Sequence, residues 1–416
     1  TITIGTLAAI ISLFCWALFL SGVWQMIRAI AQGQRIDSTR FWPVLPRLWT
    51  MLKEFVGHTR MVKFRTVGWA HWLVMFGFMI GAIFWFEAYG QIFDPHFHWP
   101  IIGSWNIYIL ADEVLGLGTV IGITTLIIIR QLNHPRVPER MSRFSGSRFG
   151  AAYFVELVVL IEGLGMIFVK TFKIANGLED PPIWTSFFTH YFAQLFEGWS
   201  VYWVTGAAVI KLMSGMIWLA VVGRNIDWGV AWHRFSAFLN IYAKREGASG
   251  APALGPLPAM TSGGKPIDFE DPDEDAVFGR GKIEDFTWKG MLDFTTCTEC
   301  GRCQSQCPAW NTGKPLSPKM VIMDLRDHLY AKAPYLLGEK TASETAPDYD
   351  VLKPSDEQVW ASGYARIEGT NDAQAHRPLV GTLEEGGVID PDVLWSCTTC
   401  GACVEQCPVD IEHIDH

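Results

Sequence analysis

Two short runs of cysteine hold the residues most able to do chemistry. Cys297, Cys300, Cys303 and Cys307 precede Pro308, and the same pattern returns as Cys397, Cys400, Cys403 and Cys407 before Pro408. Both fit C-x2-C-x2-C-x3-C-P, the spacing that holds pairs of 4Fe-4S cubanes. A cubane needs thiolates at four separate corners. Three cysteines at a period of three wrap a turn around three irons, and the fourth, set after a longer step, points toward the second cluster. The expected ligand sets are therefore crossed: Cys297, Cys300, Cys303 and Cys407 for one cluster, and Cys397, Cys400, Cys403 and Cys307 for the other. Gly301 and Gly401 follow the second cysteine of each run, where a missing side chain lets backbone amides approach cluster sulfur. Four thiolates also suit structural zinc, but a zinc ribbon spaces two C-x-x-C pairs apart and has no use for the extra cysteines or the proline. Such clusters accept and pass single electrons, so a donor and an acceptor are implied. The ninth cysteine, Cys15, lies in an apolar stretch and reads as a small core hydrophobe.

Electrons that reach a membrane bundle commonly pass to b-type haem and then quinone, and haem b there needs two axial histidines from different helices. His71 is the histidine that falls inside an apolar span, with Gly68 and Gly77 nearby to leave room for a flat ring. His233, in AWHRFSAF, is its expected partner, with His58 as an alternate. His190 and His98 could serve a second haem; one haem b is expected and a second stays open. Within the spans lie Glu87, Asp112, Glu113, Glu156, Glu162 and Lys211, with Lys170 near a span end. These could relay protons to a quinone or bond its carbonyl, or simply pair with one another, as Lys211 with Glu162. No Rossmann glycine fingerprint, P-loop, nucleophile elbow or zinc-protease motif occurs. Flavin or nucleotide chemistry is thereby assigned to a partner.

The elements that must position these groups follow from composition. Of 416 residues 50% are hydrophobic and only 18% charged, against roughly 25% charged in average soluble chains. Five stretches, near 4–27, 66–89, 105–129, 150–172 and 201–223, are long and apolar enough to cross a bilayer. Arg28 to Arg65 and Arg130 to Arg148 bracket arginine-rich and lysine-rich loops, whereas 90–104 and 173–200 carry Lys173 as their one cation. The positive-inside rule puts the N-terminus outside and everything after about Gly223 in the cytoplasm. Residues 244–285, rich in Gly, Ala, Pro, Ser and acids, read as a linker. The expected organisation is an all-α membrane bundle of about five helices over 1–243, the linker, and a small α-helical, ferredoxin-like two-cluster cytoplasmic domain over 286–416. An amphipathic helix is predicted over Ser317 to Tyr330, where Pro318 suits a helix start, and 338–390 reads as loop-rich. The net charge of -9, with the acidic excess after Glu246, averages over two unlike halves and by itself names no partner; no nucleic-acid partner is expected.

The stretch KIEDFTWKGMLDFTTCTECGRCQSQCPAWNTGKPLSPK, with VLWSCTTCGACVEQCPVDIEHIDH, resembles heterodisulfide-reductase-related iron-sulfur proteins. The five-helix part is similar to the nitrate reductase gamma subunit family, RTVGWAHWLVMFGF and GVAWHRFSAFLNIY matching its haem-ligand segments. The fusion of the two resembles the family of bacterial membrane-bound electron-transfer-flavoprotein dehydrogenases. That resemblance implies electrons taken from reduced electron-transfer flavoprotein, loaded in fatty acid beta-oxidation, and delivered to menaquinone in the cell membrane. It also implies a cysteine-rich domain beyond His416. The alternatives left open are a quinol-linked heterodisulfide or sulfur reductase, which would run the same wire backwards, and a redox sensor without catalytic flux.

Overall fold

Apolar runs of about twenty residues can satisfy their backbone groups in lipid only as helices, and helix dominates the chain. The computed structural model describes residues 2–36, 38–136, 139–245, 259–262, 265–343, 370–382 and 384–416. In chain order the first helices are α1 (Ile2–Ile30), α2 (Val44–Gly57), α3 (Arg65–Met79), α4 (Ala82–Gln91), α5 (Asn106–Leu132), α6 (Phe149–Ala175), α7 (Thr189–Ala193), α8 (Tyr202–Arg224) and α9 (Gly229–Tyr242). There follow α10 (Trp288–Thr296), α11 (Arg302–Gln306), α12 (Pro308–Asn311), α13 (Pro318–Leu336), α14 (Asp372–His376), α15 (Pro391–Trp395) and α16 (Ala402–Gln406). Helices α1, α5, α6 and α8 are each long and apolar enough to cross a membrane, and α3 with α4 passes the same test only as a pair, bent by 44° at the break between them. The span expected at 66–89 is thus broken rather than continuous. Gly81 stands at the break, where a Cβ would overlap the Gly77 carbonyl, so the kink is built around glycine.

The chain divides into two compact units, one of Thr1–Val23, Met61–Leu132 and Phe149–Asn225, the other of Trp24–Arg60, Asn133–Arg148 and Ile226–His416. In the first, small residues let helices approach closely, as membrane packing requires. A Cβ on Gly122 would lie 2.5 Å from the Ala70 carbonyl oxygen, and one on Gly22 would overlap the Gly223 backbone. Several buried charges there are paired. Glu113 accepts from Phe188 N at 2.7 Å and from Thr189 N at 2.8 Å, and lies 3.0 Å from Lys170 Nζ. Arg130 meets Glu156 at 2.7 Å. Lys211 donates to the Phe84 carbonyl at 2.9 Å rather than to Glu162, whose Oε1 accepts from Ser214 at 2.8 Å. Cys15 is buried, as expected of a core residue.

The second unit gathers its core from α10, α13 and the cysteine segments, with Phe286, Phe294, Met323 and Leu329 packed beside Cys297, Cys307 and Cys407. Helix α13 starts as its sequence predicts: Pro318 stands in the first turn, and the Ser317 side chain accepts from Met320 N at 3.2 Å. It runs on to Leu336, beyond the predicted end. Arg47 donates to the Tyr242 and Lys244 carbonyls at 3.3 and 2.9 Å. Asp293, on α10, accepts from Lys289 and Asn240 at 2.7 Å and meets His416 at 3.0 Å. Within the expected linker, β1 (Thr261–Ser262) pairs antiparallel with β2 (Lys265–Pro266). Residues 246–258 and 263–264 of that linker, and 344–369 of the expected loop-rich stretch, lie outside the described residues.

Candidate functional site

Both cysteine runs fold alike because both follow the same residue pattern. Cys297 N and Cys397 N each close a turn on the third residue before them, Phe294 and Leu394. The residue before the second cysteine is left-handed in each, Glu299 at φ 56° and Thr399 at φ 51°, as are Gly301 at 69° and Gly401 at 73°. Two left-handed residues so close together reverse the chain tightly, which a run of L-residues would resist by about 1–2 kcal/mol each. A one-turn helix follows, α11 or α16. The fourth cysteine then leaves in an extended conformation, Cys307 at φ -72°, ψ 121° and Cys407 at φ -69°, ψ 122°. The prolines come next, where the missing N–H breaks the helix and lets the thiol swing away.

This geometry brings the fourth cysteine of one run to the first three of the other. Cys297, Cys300, Cys303 and Cys407 line one cavity, together with Gly301, Lys319, Pro408 and His413, that is partly open to solvent. Conversely, Cys307 is buried, receives the Trp310 and Ala309 N–H groups, and has Cys400 and Cys397 near enough to interact with it electrostatically. Among the described residues no three His, Cys, Asp or Glu side chains converge on a point as a single-ion site requires; cubane ligands instead stand at separate corners. Burial pushes the Cys297 and Cys403 thiols up to about 12, so an empty site would hold its protons and metal binding would release them. Backbone N–H groups already address the sulfurs: Thr399 N donates to Cys397 Sγ at 3.3 Å and Ile411 N to Cys407 Sγ at 3.4 Å. Thiol number, cavity and amide contacts together fit a 4Fe-4S group.

The two runs differ in their surroundings. Glu299 is braced by Arg326 Nη2 at 2.9 Å and Arg148 N at 2.8 Å, and its carbonyl accepts from Ser147 Oγ at 2.9 Å. Thr399 is exposed, as are Cys397 and Cys400, and Trp395 just before them is 84% exposed. Lys319, 1% exposed, donates to the Arg143 carbonyl at 3.2 Å, the Ser145 carbonyl at 2.5 Å and Ser147 Oγ at 2.8 Å. Burial pulls its ammonium down to about 8, while Glu299 and the facing thiols pull the other way. The sequence reading missed Glu299 and Lys319. A lysine in the first turn of a helix opposes the helix dipole, and that misfit was the available signal.

His71 is partly buried on α3, in the first unit, whereas His233 lies on α9, in the second, with Nδ1 3.3 Å from the Gly229 carbonyl of its own helix. His58 is not at the surface, where the sequence neighbours Arg60, Lys63 and Arg65 would suggest it. It is 5% exposed, ends α2 in a left-handed conformation at φ 49°, and donates to the Phe55 carbonyl at 2.8 Å. His190 packs edge-on against Tyr191, and His98 lies in an exposed loop.

Residues 296–411 match the family of 4Fe-4S dicluster domains. The chain thus carries a C-terminal 4Fe-4S dicluster domain. Over 97% of its length it is 28% identical to the EtfAB:quinone oxidoreductase of Syntrophomonas wolfei, of which it covers 52%. It is 33% identical to a probable membrane-anchored ferredoxin of Chromohalobacter salexigens over 52% of the chain and 28% of that protein. It is 40% identical to the probable iron-sulfur-binding oxidoreductase FadF of Bacillus subtilis over 38% of the chain and 21% of that protein. The chain therefore spans about half the length of the first of these relatives and less of the others. No solved structure matches it significantly.

Proposed function

We propose that this chain is the membrane-embedded electron conduit of an electron-transfer-flavoprotein:quinone oxidoreductase, passing electrons from reduced flavoprotein of fatty acid beta-oxidation to menaquinone. The observation that carries the reading is the crossed gathering of Cys407 with Cys297, Cys300 and Cys303 around one cavity, on a chain whose long apolar helices can cross a membrane. Its likeness over nearly its whole length to an EtfAB:quinone oxidoreductase supports the choice of donor and acceptor. The relative named a membrane-anchored ferredoxin supports the location. The dicluster domain lies on the cytoplasmic side and the N-terminus outside, by the loop charges.

Cys297, Cys300, Cys303 and Cys407 hold one 4Fe-4S group, and Cys397, Cys400, Cys403 and Cys307 the other. His71 and His233 are the axial ligands of haem b, with His58 and His190 as alternates. When bound, these groups supply one-electron acceptor sites at fixed positions. The chain's own part is to present the eight thiols at fixed positions, to bury Cys303 and Cys407 of the first site, and to aim backbone N–H groups at sulfur. Glu162, Asp112 and Lys211, on the apolar helices, are the groups placed to handle the protons that quinone reduction consumes.

The reading is tested with purified full-length protein in detergent, mixed with reduced electron-transfer flavoprotein and a menaquinone analogue. Quinone-dependent reoxidation of the flavin is expected, and its absence would overturn the proposal. A reduced-minus-oxidised spectrum should show b-type haem that His71→Ala diminishes; unchanged haem in that variant removes His71 as a ligand.

A further inference from the structure

Three buried cations stand close to the first cysteine run: Arg302, Lys319 and Arg326, each 1% exposed or less. Their charges are not equally free. Arg326 is matched by Glu299 at 2.9 Å and Asp327 at 3.2 Å. Arg302 donates to the Arg60 carbonyl at 2.8 Å and acts on the thiols of Cys300, Cys407 and Cys303. Lys319 lines the cavity itself, and all three of its hydrogen bonds go to neutral oxygens, the Arg143 and Ser145 carbonyls and the Ser147 hydroxyl. The carboxylate that acts on it, Glu299, is already bound by Arg326 and by the Arg148 N–H. A positive charge that is buried, uncompensated at contact and beside four thiolates lowers the free energy of any added electron there.

The second run has a different neighbour. The cation acting on Cys307 is Arg140, partly exposed and stacked on Trp310 at 4.2 Å, where solvent screens its charge. Cys397 and Cys400 are exposed. Water and mobile ions there substitute for a fixed charge.

We propose that Lys319 is a redox-tuning residue: its buried ammonium makes the centre held by Cys297, Cys300, Cys303 and Cys407 the more oxidising of the two. The proposal rests on the conduit reading above and adds a direction to it. An electron delivered by a flavin donor at the exposed centre runs downhill to the buried one, the first losing one electron and the second gaining it, with no bond made or broken. Lys319 acts through space and touches no substrate. Its position in the first turn of α13, unfavourable for the helix dipole, then has a compensating use.

The test is an EPR-monitored redox titration of the anaerobically purified full-length protein, with iron quantified alongside. In wild type, the more positive of the two waves should be the one that Cys407→Ser abolishes. In Lys319→Met that wave should move to more negative potential while the other stays, with iron content retained, and Lys319→Arg should hold it near the wild-type value. Lys319→Gln keeps donors for the Arg143 to Ser147 loop but no charge, and should shift the wave as Lys319→Met does. An unmoved wave in an iron-replete Lys319→Gln or Lys319→Met protein overturns the proposal. So does loss of iron in both, which would mark Lys319 as a strap for that loop. The titration needs neither flavoprotein nor quinone, so its failure and a failure of flavin reoxidation are separate results.

Discussion

Gly301 offers the sharpest check on how the first cysteine loop is held. Its φ is 69°, and a Cβ there would overlap the carbonyl oxygen of Arg143. Holding alanine in the left-handed region costs about 1–2 kcal/mol. The overlap is with backbone, so no side-chain rotation relieves it, and the Arg143 to Ser147 segment must move. That segment is tied by Ser147 Oγ to the Glu299 carbonyl at 2.9 Å and by its contacts to Lys319, and the adjoining Ser142 carbonyl accepts from Gln304 Nε2 at 3.3 Å. Losing two or three such bonds costs about 1 kcal/mol each. Gly301→Ala should therefore destabilise this unit by about 3–5 kcal/mol, a fall in Tm of roughly 6–20 °C at about 2–4 °C per kcal/mol. Gly313 is the matched control: its φ is 87° but nothing lies within 4 Å of a Cβ there, so Gly313→Ala should show the conformational cost of about 1–2 kcal/mol alone. The assay is thermal unfolding of the detergent-solubilised protein, with iron loss to a chelator followed in parallel. Equal effects of the two substitutions, or a Gly301→Ala protein as stable as wild type, would refute the reasoning.

Crossed ligation predicts that Cys407→Ser removes the same EPR signal as Cys300→Ser, while Cys307→Ser removes the signal lost in Cys400→Ser; iron should fall from about eight to about four per chain in each. A Cys407→Ser protein that loses the Cys400-dependent signal instead would uncross the ligands. In the membrane unit, Glu113→Leu leaves Lys170 unpaired and takes away the acceptor for Thr189 N and Oγ1, so a loss of about 3–5 kcal/mol is expected in thermal denaturation; a change under 1 kcal/mol would contradict the buried pair. Burial pulls His328 down to about 3. Because its folded pKa lies below an unfolded value of about 6.5, the unfolded chain takes up a proton that the folded chain refuses, and stability falls as pH drops from about 6.5 toward 3. His328→Gln should flatten that acid limb in denaturation measured from pH 7 to pH 4, and an unchanged slope would assign the acid sensitivity elsewhere.

What could be read in the sequence was local. A cysteine ligand set is spaced by the turn that presents it, so the pattern of the dicluster domain is written within eleven residues of each run. Hydropathy is averaged over about twenty residues, which finds the apolar helices but smooths over the kink at Gly81, a single-residue event. The surroundings of the first run were illegible for the opposite reason. Lys319 and Arg326 share α13, but Glu299 precedes that helix and Arg148 comes from a distant segment, and each taken alone is an ordinary charged residue. Only their contacts, Lys319 with the 143–147 carbonyls and Arg326 with Glu299, separate a bare charge from a compensated one. Burial of His58 was hidden likewise, since its cationic neighbours suggested water while the chain turns it back onto the Phe55 carbonyl.

Charged residues inside apolar helices are functional candidates by default, and hydrogen bonding now divides them. Glu113 accepts from two backbone N–H groups and the Thr189 hydroxyl, and meets Lys170, which itself donates to the Ile109 and Thr185 carbonyls at 2.8 and 3.0 Å. A carboxylate so fully engaged has no free lone pair facing an incoming proton, and neutralising it would break the start of α7. Glu156 is held by Arg130, and Lys173 by Glu179 at 2.8 Å and the Phe97 carbonyl at 2.9 Å. These pairs keep helices and connections in register. Lys211 differs: it is 2% exposed, bonds a single carbonyl, and shares its surroundings with Asp112 and Glu162. A group with unused donors beside acids can exchange protons without dismantling the fold. Glu162→Gln should consequently slow quinone-dependent flavin reoxidation while leaving Tm within a few degrees of wild type, the reverse of the Glu113→Leu result. A Glu162→Gln protein that reoxidises flavin at the wild-type rate would return Glu162 to the structural group.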